Sequence, residues 1–362
     1  MKQIDELRSV LNKYLHWNKA RLTCFCQMII ALLMVRSVNL TQIATAFQGK
    51  ASLDSHYKRL RRFFAGFSFD MTSVLEMILQ MFPLEGKVWL IIDRTNWQFG
   101  LKHINILTFA IAYKGIAIPL AWSVMAKAGN SFTDDRIKLL EKVTSILKRT
   151  KIKGLIADRE FIGSKWFDHL IKNRIPFYIR IKENTMAGGI REGYAIPLKD
   201  AFRQVKEGKR KVLTHPISLL GQTVYVAASR LKNELLIVIT NKDPKKALSF
   251  YKIRWEIETL FACLKTRGFR FEDTHLTHPD RIEKLVFVLC VAFCWSYRVG
   301  DIINQLKPIT VKKHGRRAKS LFRLGMDKIR KVLFEKCLET FLWLIKAFNF
   351  KLLTIYPQEI FL

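Results

Sequence analysis

The segment Val88-Trp89-Leu90-Ile91-Ile92-Asp93 is an uninterrupted apolar run that ends in an acid. Such a run is typical of a central strand that is buried on both faces of a sheet. The segment Gly154-Leu155-Ile156-Ala157-Asp158 repeats the pattern. An acid placed directly after a buried strand costs desolvation energy unless something compensates it, and bound metal ions are one such compensation. If the two strands are parallel neighbours, Asp93 and Asp158 lie side by side; an acid that only marks the end of a strand is the alternative.

The segments around these two strands outline an α/β domain. Residues 104–113 and 116–126 predict two strands that form a hairpin at Lys114-Gly115. Helices are predicted from Thr133, as N-cap, through Leu147 and from Ser164, also as N-cap, through Lys172, and residues 176–181 predict a further strand. The resulting order of strands and helices is that of a ribonuclease H-like fold with a mixed sheet.

The predicted fold class is therefore a ribonuclease H-like core that a β-rich insert interrupts, with helical N- and C-terminal regions. Glycines and short β-rich runs between residues 184 and 246 predict the insert. The five predicted parts are a helical DNA-binding domain (1–83), the first part of the core (84–183), the insert (184–246), the rest of the core (247–300) and a basic helical region for DNA contact or dimerisation (301–362).

A helix after the insert supplies a third carboxylate. Tyr251, Arg254 and Glu258 are spaced three and four residues apart, so they share one helical face, and Lys265 follows on that face two turns later. Glu256 points away from that face and is the weaker candidate. An ordinary surface ion pair between Arg254 and Glu258 is the alternative interpretation.

These residues fill the pattern Y-x-x-R-x-x-x-E-x-x-x-x-x-x-K, which resembles the signature of DDE transposases of the insertion-sequence 4 family. The blocks around Asp93 and Asp158 resemble the two aspartate blocks of that family, and the resemblance covers roughly residues 86–300. Glu160 is a departure, because relatives often carry glycine there. The insert also lacks the tryptophan with which relatives trap a flipped base, and Tyr194 or Tyr225 could substitute for it.

The resemblance implies a metal-dependent endonuclease and strand transferase. Asp93, Asp158 and Glu258 would be the catalytic residues and would coordinate two Mg²⁺ ions, for which Mn²⁺ can substitute. Tyr251, Arg254 and Lys265 would bind the phosphates of the transposon end, and Trp255 would help to hold a DNA hairpin. The implied partners are double-stranded DNA with terminal inverted repeats, target DNA and a second copy of the chain in the active complex.

The charge balance agrees with a nucleic-acid partner. The 62 lysines and arginines outnumber the 30 acids, which gives a formal net charge of +32. Cationic side chains on phosphates release condensed counterions, so affinity for DNA should fall steeply with salt. Charge alone leaves a ribosomal-type protein or a binder of anionic membranes open. Basic residues interleaved with aromatics at residues 57–64 suggest a DNA contact, with a solvated helix face as the alternative.

The resemblance implies a protein of the bacterial cytoplasm that associates with the nucleoid when bound to DNA, and the sequence predicts no membrane partner. No CxxC pair is present among the six cysteines, which predicts buried thiols in a reducing compartment. The apolar segments 104–126 and 285–297 are predicted to be buried core. Two further functions stay open: a DNA-binding relative without catalysis, and a ribonuclease H-like nuclease without strand transfer.

Overall fold

The structure is a computed structural model that describes residues 2–66, 68–125, 127–189, 195–313 and 315–349. It contains two compact units. The helical unit comprises the described residues within 1–84, 97–104 and 261–349, and the sheet unit comprises those within 85–96 and 105–260. The N-terminal and C-terminal helices thus belong to one unit, whereas the sequence divides them into separate regions.

The α-helices are α1 (Lys2–Leu11), α2 (Lys19–Val35), α3 (Leu40–Thr45), α4 (Leu53–Ala65), α5 (Met71–Met81), α6 (Thr133–Ile146), α7 (Ser164–Lys172), α8 (Leu198–Ala201), α9 (Ala247–Tyr251), α10 (Trp255–Leu264), α11 (Pro279–Leu306), α12 (Leu321–Glu335) and α13 (Leu338–Ile345). Short 3-10 turns cover Arg149–Lys151, Pro244–Lys246, Lys252–Arg254, Phe271–Asp273 and Lys346–Phe348. The strands are β1 (Val88–Phe99), β2 (Lys102–Tyr113), β3 (Ile116–Met125), β4 (Ile152–Ala157), β5 (Phe177–Ile181), β6 (Met186–Gly189), β7 (Ala195–Pro197), β8 (Arg210–Val212), β9 (Ile217–Leu219), β10 (Gln222–Arg230) and β11 (Leu235–Thr240).

The strands form a mixed sheet in the order β3-β2-β1-β4-β5-β11-β10-β9-β6-β7, with β8 paired to β10. The hairpin β2–β3 is antiparallel, whereas β1 and β5 both run parallel to β4. The mixed α/β class predicted from the sequence is confirmed, and the sheet is consistent with the ribonuclease H-like core of a DDE transposase.

The insert is not a separate body within the described residues. Its last strand, β11, pairs antiparallel with β5 of the core, and β10 pairs with β11. The β-rich composition predicted at 184–246 is therefore present, but most of these strands extend the core sheet. Apolar residues such as Ile237 and Val238 are fully buried, so β11 continues the core.

Three predicted element boundaries were wrong. The strand β1 continues past Asp93 to Phe99, because its polar second half can pair with β2 without being buried on both faces. The N-cap of α6 is Phe132, whose N–H donates to the Asp135 carboxylate, and Thr133 is the first helical residue. The N-cap of α7 is Gly163, one residue before Ser164.

In the helical unit, α11 is the main core element. Among the described residues it is the one helix whose length and composition would allow it to cross a membrane, but 94% of its apolar window is buried inside the protein. It is 28 residues long, so the apolar segment 285–297 is only its middle. Asn39 caps α3, accepting hydrogen bonds from the N–H groups of Thr41 and Gln42.

Helix α4 separates the basic and aromatic residues of segment 57–64. Phe63 and Phe64 are buried in the core, whereas Lys58, Arg61 and Arg62 are exposed on the other face. Phe63 and Phe64 therefore stabilise the fold, and these three cations face the solvent.

Candidate active site

Two parallel strands place Asp93 and Asp158 next to each other. The register pairs Ile91 with Ile156 and Ile92 with Ala157, so Asp93 and Asp158 occupy the next position of each chain. Neighbouring strands are about 4.8 Å apart. The sequence interpretation of two acids side by side at this point of the sheet agrees with the register.

The Arg254 guanidinium connects two of the three predicted carboxylates. Its Nη1 donates to Asp93 Oδ2 at 3.0 Å, and its Nη2 donates to Glu258 Oε1. Arg254 lies in the 3-10 turn between α9 and α10, four residues before Glu258. Its side chain is 10% exposed and that of Asp93 is 13% exposed, so the ion pair is well shielded from water. The Arg254–Glu258 ion pair of the alternative interpretation also forms, with the Glu258 side chain 37% exposed, but the same guanidinium additionally binds the buried Asp93.

Tyr251 contacts the remaining predicted carboxylate, Asp158. Its Oη donates to Asp158 Oδ1 at 3.1 Å. Burial and the nearby negative charge of Asp158 raise the pKa of Tyr251, so the phenol keeps its proton and acts as a donor. The short segment 251–258 thus contains Glu258 and contacts Asp93 and Asp158, two acids that are far from it in the sequence.

The surroundings of Asp93 change its ionisation. Burial raises its pKa to about 6, and the charges of Asp158 and Glu160 act in the same direction. Arg254 and the N–H of Arg94, which donates to Asp93 Oδ1 at 2.8 Å, act in the opposite direction. The Arg254 pKa is itself raised: burial alone would lower it, but Tyr251 and the three carboxylates outweigh that effect.

Glu160 has a different role from these carboxylates. Arg94 binds it with two donors, Nε to Oε1 at 3.0 Å and Nη2 to Oε2 at 2.7 Å. The buried Arg136 donates to the Glu160 carbonyl at 3.0 Å and to the Ser131 carbonyl at 2.8 Å. This frame fixes the loop after β4, next to Asp158. Sequence reasoning missed Arg94 and Arg136; the signal was an arginine beside each of two acids, Asp93 and Asp135.

Glu256 faces another part of the sheet unit. Its Oε2 accepts a hydrogen bond from the Tyr113 N–H at 2.9 Å, at the turn of the β2–β3 hairpin. Burial raises its pKa to about 7. The prediction that Glu256 points away from the other acids agrees with this contact.

Trp255 and Lys265 are the remaining predicted DNA-binding residues. The Trp255 side chain is 62% exposed, and the Arg254 guanidinium lies 5.5 Å from its ring centre. Lys265 follows the end of α10 and belongs to the helical unit. There it forms an ion pair with Glu272 at 2.7 Å.

The aromatic substitutes proposed for the insert are only partly described. Tyr225 lies in β10, opposite Thr240 of β11, and is half-buried. Tyr194 lies outside the described residues. The base-trapping role of either residue stays a prediction.

The carboxylates suit a hard divalent cation in chemistry, since such ions take oxygen ligands. Among the described residues, no three His, Cys, Asp or Glu side chains are arranged to hold a metal ion. A cationic group, the Arg254 guanidinium, instead contacts Asp93 and Glu258. The site therefore already stabilises a positive charge at these acids. The carboxylate oxygens also fit the implied Mg²⁺ ions in charge and in ligand type.

The fold and the paired acids define a ribonuclease H-like unit with a carboxylate site. Residues 133–295 match the family model of the transposase DDE domain. This range contains Asp158 and Glu258 and begins after Asp93. A search of curated proteins found no match. The family match supports a DDE transposase, with transposase activity in general and DNA as the substrate.

Proposed function

We propose that the protein is a transposase that cuts and joins DNA at the ends of an insertion sequence. Each cutting and joining step is an in-line displacement at phosphorus, and excision passes through a DNA hairpin before the element is joined to target DNA. The observation that carries the proposal is the convergence on residues 251–258: Arg254 contacts Asp93 and Glu258, and Tyr251 contacts Asp158.

Asp93, Asp158 and Glu258 are the proposed catalytic residues and would hold two Mg²⁺ ions, for which Mn²⁺ can substitute. When bound, these ions activate the attacking hydroxyl and neutralise the leaving oxygen. The raised pKa of Asp93 reflects acids crowded in a buried place, which an added cation would relieve. Glu160, already paired with Arg94, is not assigned as a ligand.

Arg254, Tyr251 and Lys265 are the proposed phosphate-binding residues. The planar fork of an arginine suits both a carboxylate and a phosphate, so Arg254 can exchange one partner for the other. Trp255 presents an exposed ring beside Arg254, where a base at the DNA hairpin could stack on it.

The proposed partners are duplex DNA with terminal inverted repeats, target DNA and a second copy of the chain, because two ends must be paired before cutting. The substrate for a test is a duplex that carries the inverted repeats flanking the gene. Asp93→Asn, Asp158→Asn and Glu258→Gln should each reduce Mg²⁺-dependent cleavage beyond the ~100-fold typical of residues that only support a ligand. Asp168→Asn, which alters an acid paired with Lys172 on the surface of α7, is the control and should cleave normally.

Binding and joining are measured on the same duplexes. The three variants should bind the repeats about as well as the unchanged protein does. Full Mg²⁺-dependent cleavage by Glu258→Gln would overturn the assignment of that residue. An unchanged protein that binds but never cuts would be an inactive DNA-binding relative. One that cuts but cannot join pre-cut ends would be a nuclease without strand transfer.

A further inference from the structure

A cleft of about 730 Å³ lies in the sheet unit at the end of the strands opposite the carboxylates. It is lined by residues at the beginning of three parallel strands, including Trp89 of β1, Lys153 of β4 and Tyr178 of β5. Lys153, the second residue of β4, and Asp158, which follows β4, are five positions apart, or roughly 17 Å at about 3.3 Å per residue. The cleft is thus distinct from the candidate active site.

Positive charge dominates the cleft. The cations that line it come from four segments of the chain: Lys87, Arg149, Lys153, Lys172, Arg174 and Lys242. Asp243 is the one acid among the described lining residues. In the part of the chain that the structure describes, only Lys172 of these cations forms an ion pair, with Asp168 at the surface. Unpaired cations this close together repel one another unless an anion neutralises them.

An aromatic wall holds one of these cations in place. Trp89 packs against Phe250, with ring centres 4.5 Å apart, and against Tyr178 at 5.4 Å. The Lys153 ammonium lies 5.2 Å from the Trp89 ring centre. Ring faces attract a cation without supplying a counter-charge, so the Lys153 ammonium can still pair with an external anion.

Gly154 makes room for this wall. A Cβ at this position would lie 2.6 Å from the Trp89 ring and 3.0 Å from the Tyr178 ring. The glycine inside β4 therefore allows the Trp89 ring to lie across the strand, next to Lys153. The packing of these residues therefore shapes the cleft, which is more than a gap between surface lysines.

We propose that this cleft binds the sugar-phosphate backbone of a second segment of duplex DNA, separate from the DNA at Asp93, Asp158 and Glu258. A small anion would need only two or three of the cations, whereas a DNA backbone offers regularly spaced phosphates to all of them. Lysine and arginine on phosphates carry no sequence information, so the second segment is bound without regard to sequence. This inference rests on the proposed action on DNA.

The test uses a triple variant, Lys87→Gln, Lys153→Gln and Arg174→Gln. All three side chains are exposed and form no ion pair within the described residues, so the fold should be kept. The control removes three exposed cations elsewhere in the sheet unit: Lys142→Gln, Lys206→Gln and Lys232→Gln. The loss of charge is the same in both variants.

Each protein is first saturated with the inverted-repeat duplex, and binding of a labelled duplex of random sequence is then titrated at several salt concentrations. The triple variant should bind the second duplex at least about tenfold more weakly, and its slope of log K against log salt should fall by nearly 3, about 0.9 per lost phosphate contact. The control variant should keep the slope within about 1 of the unchanged protein.

Two results would overturn the inference. One is an equal slope change in both variants, which would show a general charge effect. The other is unchanged binding of the second duplex by the triple variant; if this variant also loses protection by inorganic phosphate against thermal unfolding, the cleft is a small-anion site. Cleavage of the repeat duplex is measured in parallel. If it persists while the second duplex is bound normally by the triple variant, the inference fails and the proposed function stands; if the unchanged protein neither binds nor cuts the repeats, the proposed function fails.

Discussion

At the scale of single residues, Arg254 cannot bind a phosphate and the carboxylates of Asp93 and Glu258 at the same time. It is predicted to bind a phosphate, yet in the structure its guanidinium is shared by Asp93 and Glu258 and is 10% exposed. A cation that approaches these carboxylates must compete with the guanidinium. Under the proposed function, the pairing would keep these buried acids stable until metal and DNA are both bound.

Arg254→Gln should destabilise the metal-free protein by about 3 kcal/mol, because a buried carboxylate loses its partner. Mg²⁺ should then raise the melting temperature of the variant more than that of the unchanged protein, since the guanidinium no longer competes. Thermal unfolding with and without Mg²⁺ measures both effects. Lys252→Gln, at an exposed neighbouring position, is the control. Equal Mg²⁺ shifts in all three proteins would contradict metal binding at these carboxylates.

Glu256 gives a prediction for pH. Burial raises its folded pKa from 4.5 to about 7. A raised pKa favours the folded state below pH 4.5, and this stabilisation is lost as the pH rises through 7. Glu256→Gln keeps an oxygen for the Tyr113 N–H but carries no charge. Between pH 4.5 and pH 8 its unfolding free energy should improve, relative to the unchanged protein, by up to about 3 kcal/mol. Urea unfolding at both pH values checks this, with Glu85→Gln as the exposed control; a constant difference would contradict it.

The residues of the candidate site were accessible from the sequence, but their contacts were not. Helical spacing put Arg254 and Glu258 on one face, and two apolar runs located Asp93 and Asp158. The contact of Arg254 with Asp93 joins positions 161 residues apart, and local periodicity contains no information about such pairs. The arginine frame around Glu160 was missed for the same reason.

At the scale of elements, local signals predicted the elements better than their partners. The β2–β3 hairpin followed from two apolar runs around Lys114-Gly115, and Lys114 and Gly115 both have positive φ. The pairing of β11 with β5 could not be predicted, because the connecting residues 182–234 give no sign of which edge of the sheet they return to. The 3-10 turn Lys252–Arg254, which divides the predicted continuous helix, also leaves no distinct sequence pattern.

The crossing of α11 and α12 supports a prediction for the helical unit. A Cβ at Gly300 would lie 1.8 Å from the Leu321 carbonyl oxygen, and one at Gly325 would lie 1.8 Å from the Ser296 carbonyl oxygen. Alanine normally stabilises a helix by about 1 kcal/mol over glycine. Here Gly300→Ala should instead destabilise by about 3 kcal/mol, because backbone and not a flexible side chain must move.

Chemical unfolding of the two single variants and the double variant tests this crossing. Once one methyl group has separated the helices, the second should cost less, so the double variant should lose less than the sum of the single losses. Additive losses, or a gain in stability for Gly300→Ala, would contradict the close approach of these helices.

At the scale of the whole molecule, the net charge of +32 is the property that the fold by itself does not explain. Most of the cations are exposed, including Lys312, Lys313 and Arg317 before α12, and self-repulsion destabilises a compact chain that carries so much charge of one sign. A polyanion that binds only the folded state should therefore raise the melting temperature. At a concentration 100-fold above Kd, the gain is about 2.7 kcal/mol.

Duplex DNA of random sequence should produce this gain at low salt, before any inverted repeat is offered. The gain should vanish near 1 M salt, where the screening length falls to about 3 Å. Differential scanning fluorimetry across a salt series measures it, and an uncharged polymer such as dextran at equal mass controls for crowding. A gain that persists at 1 M salt, or that dextran reproduces, would mean that the positive charge is not what binds DNA, and the nucleic-acid interpretation of the composition would have to be abandoned.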